Sequence, residues 1–148
     1  MNAIRNAATF LKNARKKLRQ GELSRSPLTL LRFEWKGNFF QCDWLMRPVD
    51  PWDQDLPERM ARANQTQQAF RDALGLRELI FDSFPAAINA ELRMFRSNED
   101  HTLELMMTGR VSRSDEVLFR VTSIAMRAKL CGFQFVLSNG ALDRLMAV

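Results

Sequence analysis

LLRFEWKGNFFQCDWL, residues 30–45, is a pair of alternating apolar runs joined at Gly37 and Asn38. A two-residue turn of the Gly-first type pairs Lys36 with Phe39, and the register follows from there: Trp35 faces Phe40, Phe33 faces Cys42 and Leu31 faces Trp44. Leu31, Phe33, Trp35, Phe40, Cys42 and Trp44 then fall on one face. Arg32 opposite Asp43 and Glu34 opposite Gln41 occupy the other. A three-residue turn would set Trp35 against Phe39 and divide the apolar set between faces, so the two-residue turn is the consistent one. The segment reads as a β-hairpin with one buried face, and Cys42 belongs to the core.

Upstream of the hairpin lies the positive charge of the chain. Met1 to Arg25 holds seven bases (Arg5, Lys12, Arg15, Lys16, Lys17, Arg19 and Arg25) against the single acid Glu22, which leaves 15 bases and 16 acids for all the rest. The sequence pI of 9.9 therefore belongs to a short segment on a nearly neutral body. At helical spacing Ile4, Ala7, Leu11, Ala14 and Leu18 form one stripe with Phe10 at its edge, and Arg5, Lys12, Arg15, Lys16 and Arg19 form the neighbouring arc. The spacing predicts a basic amphipathic helix over about residues 2–20, closed by Gly21. Bases in the last turn also suit the negative end of the helix dipole, the commoner reason to find them there.

Downstream, residues 47–55 read as a loop around Trp52, with Pro48, Pro51 and the acids Asp50, Asp53 and Asp55. Asp55 and Glu58 have capping-box spacing, which predicts a helix from about Leu56 to Leu74, with Leu56, Met60, Ala63, Phe70 and Leu74 inward and Gly75 at its end. Phe81, Phe84, Ile88, Leu92 and Phe95 predict a second helical stretch over Leu76 to Arg96, broken near Pro85. Leu103, Leu105 and Met107 alternate as a strand. Val117, Val121, Ile124, Ala128 and Cys131 return to helical spacing, Gly132 caps, and Phe133, Phe135 and Leu137 make another strand. That order predicts a parallel, right-handed βαβ unit. Asn139 and Gly140 mark a turn, and the remaining residues to Val148 read as a short helical or extended tail. The architecture expected is a single α+β domain: a four-stranded mixed sheet, built from the N-terminal hairpin and the C-terminal βαβ unit, with its helices mainly on one face.

The composition is that of an ordinary globular chain of 148 residues, 46% hydrophobic and 26% charged, with six Gly and five Pro. A chain of this length buries roughly 70% of its unfolded surface, so it needs no disulfide. Cys42 and Cys131 read as reduced thiols in a reducing compartment, and cytoplasmic is the location expected. No run approaches the roughly 20 apolar residues of a membrane span, and the N-terminus lacks the apolar core of a secretory signal. It shares its basic amphipathic character with transit peptides but is Lys-rich and poor in Ser.

Catalytic chemistry finds little to work with. The one His, His101, stands beside Glu99 and Asp100 as an ordinary exposed residue would, and no metal-ligand, nucleophile-elbow or phosphate-loop spacing occurs. The residues call for no cofactor. Asp50, Asp53 and Asp55 lack the spacing of a calcium loop, and turn and cap duties account for them. With Trp52 they also form an acidic, aromatic loop suited to a basic helix of a neighbouring copy. Arg110, Ser112, Arg113 and Ser114, at a helix entrance, are a candidate anion site, although Asp115 and Glu116 would repel an anion and a serine N-cap is the plainer role. The reading is a non-enzymatic interaction or assembly module. It contacts an acidic protein surface or another copy through Arg5, Lys12, Arg15, Lys16 and Arg19, with Asp50, Trp52 and Asp53 as the complementary patch. Two alternatives use the same helix: nucleic acid, through its phosphates, or an anionic membrane surface.

Overall fold

The computed structural model describes residues 28–36, 39–113 and 121–145, together with Thr9 and Lys12, two exposed positions in helical conformation. Six strands form one mixed sheet in the order of the chain: β1 (Leu30–Lys36), β2 (Phe39–Leu45), β3 (Asn89–Ser97), β4 (Leu103–Ser112), β5 (Phe133–Ser138) and β6 (Ala141–Asp143). A long helix, α1 (Glu58–Ser83), connects β2 to β3, and a short one, α2 (Ile124–Cys131), connects β4 to β5.

The hairpin has the expected register from Lys36↔Phe39 through Trp35↔Phe40, Glu34↔Gln41, Phe33↔Cys42 and Arg32↔Asp43. Beyond Arg32 a bulge intervenes. Leu30, not Leu31, stands opposite Trp44, and Leu31 is 42% exposed. An extra residue in one strand shifts every later pair by one position, so the apolar role expected of Leu31 passes to its neighbour.

The expected four-stranded sheet is corrected to six strands, and the parallel pair lies elsewhere. β4 and β5 are antiparallel neighbours, whereas β2 and β3 are parallel across the α1 crossover. The second helical stretch expected over Leu76 to Arg96 is divided: α1 runs through Gly75 to Ser83, and residues 89–97 are β3. Ile88, Leu92 and Phe95 have helical spacing, yet Ala90, Leu92 and Met94 are fully buried while Ile88 is 54% exposed. The period of two decided the structure. Gly75 ends nothing, because Leu76, Leu79 and Ile80 beyond it are buried, and burying three large side chains outweighs the roughly 1 kcal/mol that an internal glycine costs a helix.

The inner face of the sheet carries Phe40, Cys42 and Trp44 from β2, Ala90, Leu92 and Met94 from β3, and Met107 and Val111 from β4. These pack with Phe70, Ala73, Leu76 and Ile80 of α1 in one core, and α2 packs against α1. Two of the inward positions expected are revised: Met60, in the first turn of α1, is 53% exposed, and Leu56, half-buried, precedes the helix. The outer face is a lattice of charges, with Arg93 in a forked pair with Asp43 at 2.9 and 2.6 Å and Glu91 3.8 Å from Arg110. Gly132 closes α2 in the left-handed conformation, and Asn139 and Gly140 turn β5 into β6 with φ of 53° and 80°. Of the helical or extended tail expected there, the extended form occurs over Ala141–Asp143 as β6, because two positive φ values in succession make the turn whose twist matches a hairpin. No helix among the described residues is long and apolar enough to cross a membrane.

Candidate functional site

The loop between β2 and α1 carries Trp52, the most exposed aromatic side chain among the described residues. Its foot is Arg47, whose Nε lies 3.0 Å from Asp72 Oδ2 with both side chains buried. Gln68 Nε2 donates to Asp72 Oδ1 at 3.0 Å, and Gln65 Nε2 donates to the Arg47 carbonyl at 2.9 Å. A buried ion pair survives only where other interactions offset its desolvation, and α1 supplies Asp72 together with the Gln68 amide that donates to it. The Met46 amide extends the sheet by donating to the Phe95 carbonyl at 2.7 Å.

From that foot the chain rises into one turn of 3-10 helix, Pro51–Asp53, capped by the Asp50 carboxylate accepting from the Trp52 amide at 3.0 Å. Asp53 accepts from Asn64 of α1 at 3.3 Å. Trp52 stands at the tip, 64% exposed. Beneath it a cavity of about 320 Å³ runs between the loop and α1, walled by Asp50, Trp52 and Asp53 on one side and by Asn64, Gln67 and Arg71 on the other. The structure therefore brings Asp50, Trp52 and Asp53 together. Asp55, expected as a cap, contributes no such bond: the N-cap is Pro57, without a side-chain hydrogen bond.

Other expected site residues are dispersed. Arg113 turns toward the C-terminal end of α1, where its guanidinium donates to the carbonyls of Phe81 (2.9 Å), Phe84 (2.9 Å), Pro85 (3.1 Å) and Ala87 (2.9 Å) and lies 5.2 Å from the Phe81 ring centroid. Arg110 projects from the outer face of β4 toward Glu91, and the Ser112 carbonyl accepts from Arg77 at 2.7 Å. Arg110 and Arg113 thus serve different places. Ser114 lies outside the described residues, as do Arg5, Arg15, Lys16 and Arg19; Lys12 is exposed.

His101 occupies the β3–β4 turn with φ of 66° and its amide donating to the Asn98 carbonyl. Both cysteines are buried and neither is in a disulfide; burial pushes the Cys42 thiol well up, with the neighbouring Asp43 charge adding to the rise. Among the described residues no group of three or more His, Cys, Asp and Glu is placed to hold a metal ion. The Arg47–Asp72 pair carried no sequence signal, since nothing local distinguishes a buried arginine or aspartate from an exposed one. Set against models of protein families, curated proteins and solved structures, the chain has no match in any of the three.

Proposed function

We propose that this chain is a non-enzymatic interaction module in which the basic N-terminal segment of one copy docks on the acidic, Trp52-bearing loop of another. The observation that carries the reading is Trp52, 64% exposed at the tip of a loop fixed by a buried ion pair. A large aromatic held out of the core forgoes most of the hydrophobic stabilisation that its burial would bring. Such residues anchor interfaces, where a rigid ring loses little entropy on burial. Asp50 and Asp53 beside it suit the arc of Lys12, Lys16 and Arg19, and opposite charges favour encounter and fix register.

The test is charge reversal in the full chain. Changing Lys12, Lys16 and Arg19 to Glu reduces the mass found by light scattering to that of one chain, and combining it with Asp50→Lys and Asp53→Lys restores the larger species. Melting of the Lys12, Lys16 and Arg19 variant moves within about 0.5 kcal/mol, the range for exposed substitutions. A parent that is monomeric at every concentration, or a mass unaffected by the reversal, removes this reading. Should the parent instead bind nucleic acid or anionic vesicles with steep salt dependence, the basic segment has a different counterpart.

A further inference from the structure

We propose that the groove between the start of α1 and the β5–β6 turn binds a small organic oxyanion, a carboxylate or phosphate monoester carrying a short apolar body. It lies beyond the docking reading and does not depend on it. Two cavities, of about 480 and about 530 Å³, adjoin there, and Arg62 of α1, Arg96 of β3 and Leu142 of β6 line both. Their volumes fall in the range of small-molecule sites. The inner cavity has apolar walls from Met46, Val49, Leu56 and Leu142. The outer one adds Arg59 and the polar turn residues Ser138 and Asn139. Guanidinium groups thus reach the groove from two elements at the junction between its apolar and polar halves.

The acids of the groove are engaged. Glu58 lies 3.0 Å from Arg62, Asp53 accepts from Asn64, and Asp143 accepts from the Arg144 amide at 2.7 Å. Arg96 pairs with Glu104 on the next strand, which Arg144 approaches at 3.9 Å. Arg59 makes no ion pair among the described residues. The placement of Arg59 and Arg62 opposes the helix that bears them, since the first turns of an α-helix disfavour cations. Pro57, as N-cap, offers no side chain to the first N–H groups. Arg62 has Glu58 as its partner, whereas Arg59 has charge to offer a ligand, and the guanidinium fork matches carboxylate and phosphate alike. The apolar inner half selects the body attached to it.

Titration calorimetry of the full chain with hexyl phosphate, hexanoate, hexanol and inorganic phosphate tests the assignment. Binding of hexyl phosphate or hexanoate at one site is expected, and which of them binds identifies the oxyanion. Arg62→Gln and Arg96→Gln each weaken it about tenfold, as loss of a charge-assisted hydrogen bond does. Arg59→Gln, which removes the guanidinium without an ion pair among the described residues, weakens it at least as much, and Lys129→Gln, on α2, leaves it unchanged. Melting curves of the variants confirm that they fold. Hexanol binding as tightly as the anions, inorganic phosphate binding as tightly as hexyl phosphate, absence of binding by both anions, or binding indifferent to Arg62 and Arg96 would each overturn the proposal. None of those results touches the charge-reversal experiment on the Trp52 loop.

Discussion

The two ends of α1 are built in opposite ways. At its C-terminal end the chain turns at Phe84, whose ring lies 4.4 Å from that of Phe40 and 5.0 Å from that of Trp35, and the Arg113 guanidinium covers the outgoing carbonyls. At its N-terminal end Pro57 caps without a side chain, Arg59 and Arg62 stand exposed in the first turns, and the loop before it lifts Trp52 into solvent. One end is closed by aromatic packing and a cation placed where the helix dipole wants one. The other is open, with its large ring in solvent and its cations near the positive end of the helix dipole, Arg62 held by Glu58 at 3.0 Å. The open end is where the proposed docking is placed, since consistency among local choices relaxes first where a surface serves something other than the fold.

The largest effect expected is at the foot of the open end. Asp72→Ala leaves Arg47 buried beside a cavity and costs about 3–5 kcal/mol in denaturant unfolding. The double change Arg47→Met with Asp72→Leu recovers most of that loss, because an apolar pair of similar volume carries no desolvation penalty. A single variant as stable as the parent would show that the loop does not depend on the pair.

Next comes the closed end. Arg113→Ala uncovers the carbonyls of Phe81 and Phe84 and lowers stability by about 2–3 kcal/mol, the range for hydrogen bonds to a charged group. Arg113→Lys recovers little, since an ammonium cannot reproduce a planar fork across several carbonyls. Full recovery by Lys would reduce the closure to a simple charge effect.

Trp52→Ala, at the open end, changes melting within about 0.5 kcal/mol. A loss as large as that of a core aromatic would place the ring inside the fold and abolish the contrast between the ends. Smallest is the behaviour of Glu104. The hydrogen bond from Arg96 holds its carboxyl below the ordinary glutamate range, with Arg144 adding to the effect. A carboxylate depressed in the folded state contributes stability that is present above its unfolded pKa of about 4.3 and is lost as pH falls through the folded value. Carboxyl titration by NMR finds the Glu104 midpoint below that of free glutamate, and Arg96→Gln raises it.

Legibility in the sequence follows the range of the interactions involved. The hairpin was readable because its pairing is local, and turn chemistry with alternation determines it; only the bulge at Leu31 escaped, since a bulge leaves no compositional mark. Residues 88–97 were not, because Ile88, Leu92 and Phe95 fit a helix as well as Ala90, Leu92 and Met94 fit a strand, and the choice was made by a sheet edge offered by β2. The acidic loop was readable from its prolines and acids, but the Arg47–Asp72 foot and the Arg113 closure join residues far apart in the chain. The N-terminal amphipathic segment, the other half of the proposed interface, lies outside the described residues apart from Thr9 and Lys12.

A double-mutant cycle on self-association tests the central claim most directly. Association constants from sedimentation equilibrium are measured for the parent, for Trp52→Ala, for Lys12, Lys16 and Arg19 changed to Glu, and for the combination. Docking of the basic segment against the Trp52 loop predicts a coupling energy of about 1–3 kcal/mol between the two sets of changes, the range for groups in contact. Effects that add within about 0.5 kcal/mol would show that the ring and the bases do not meet, and would contradict the account.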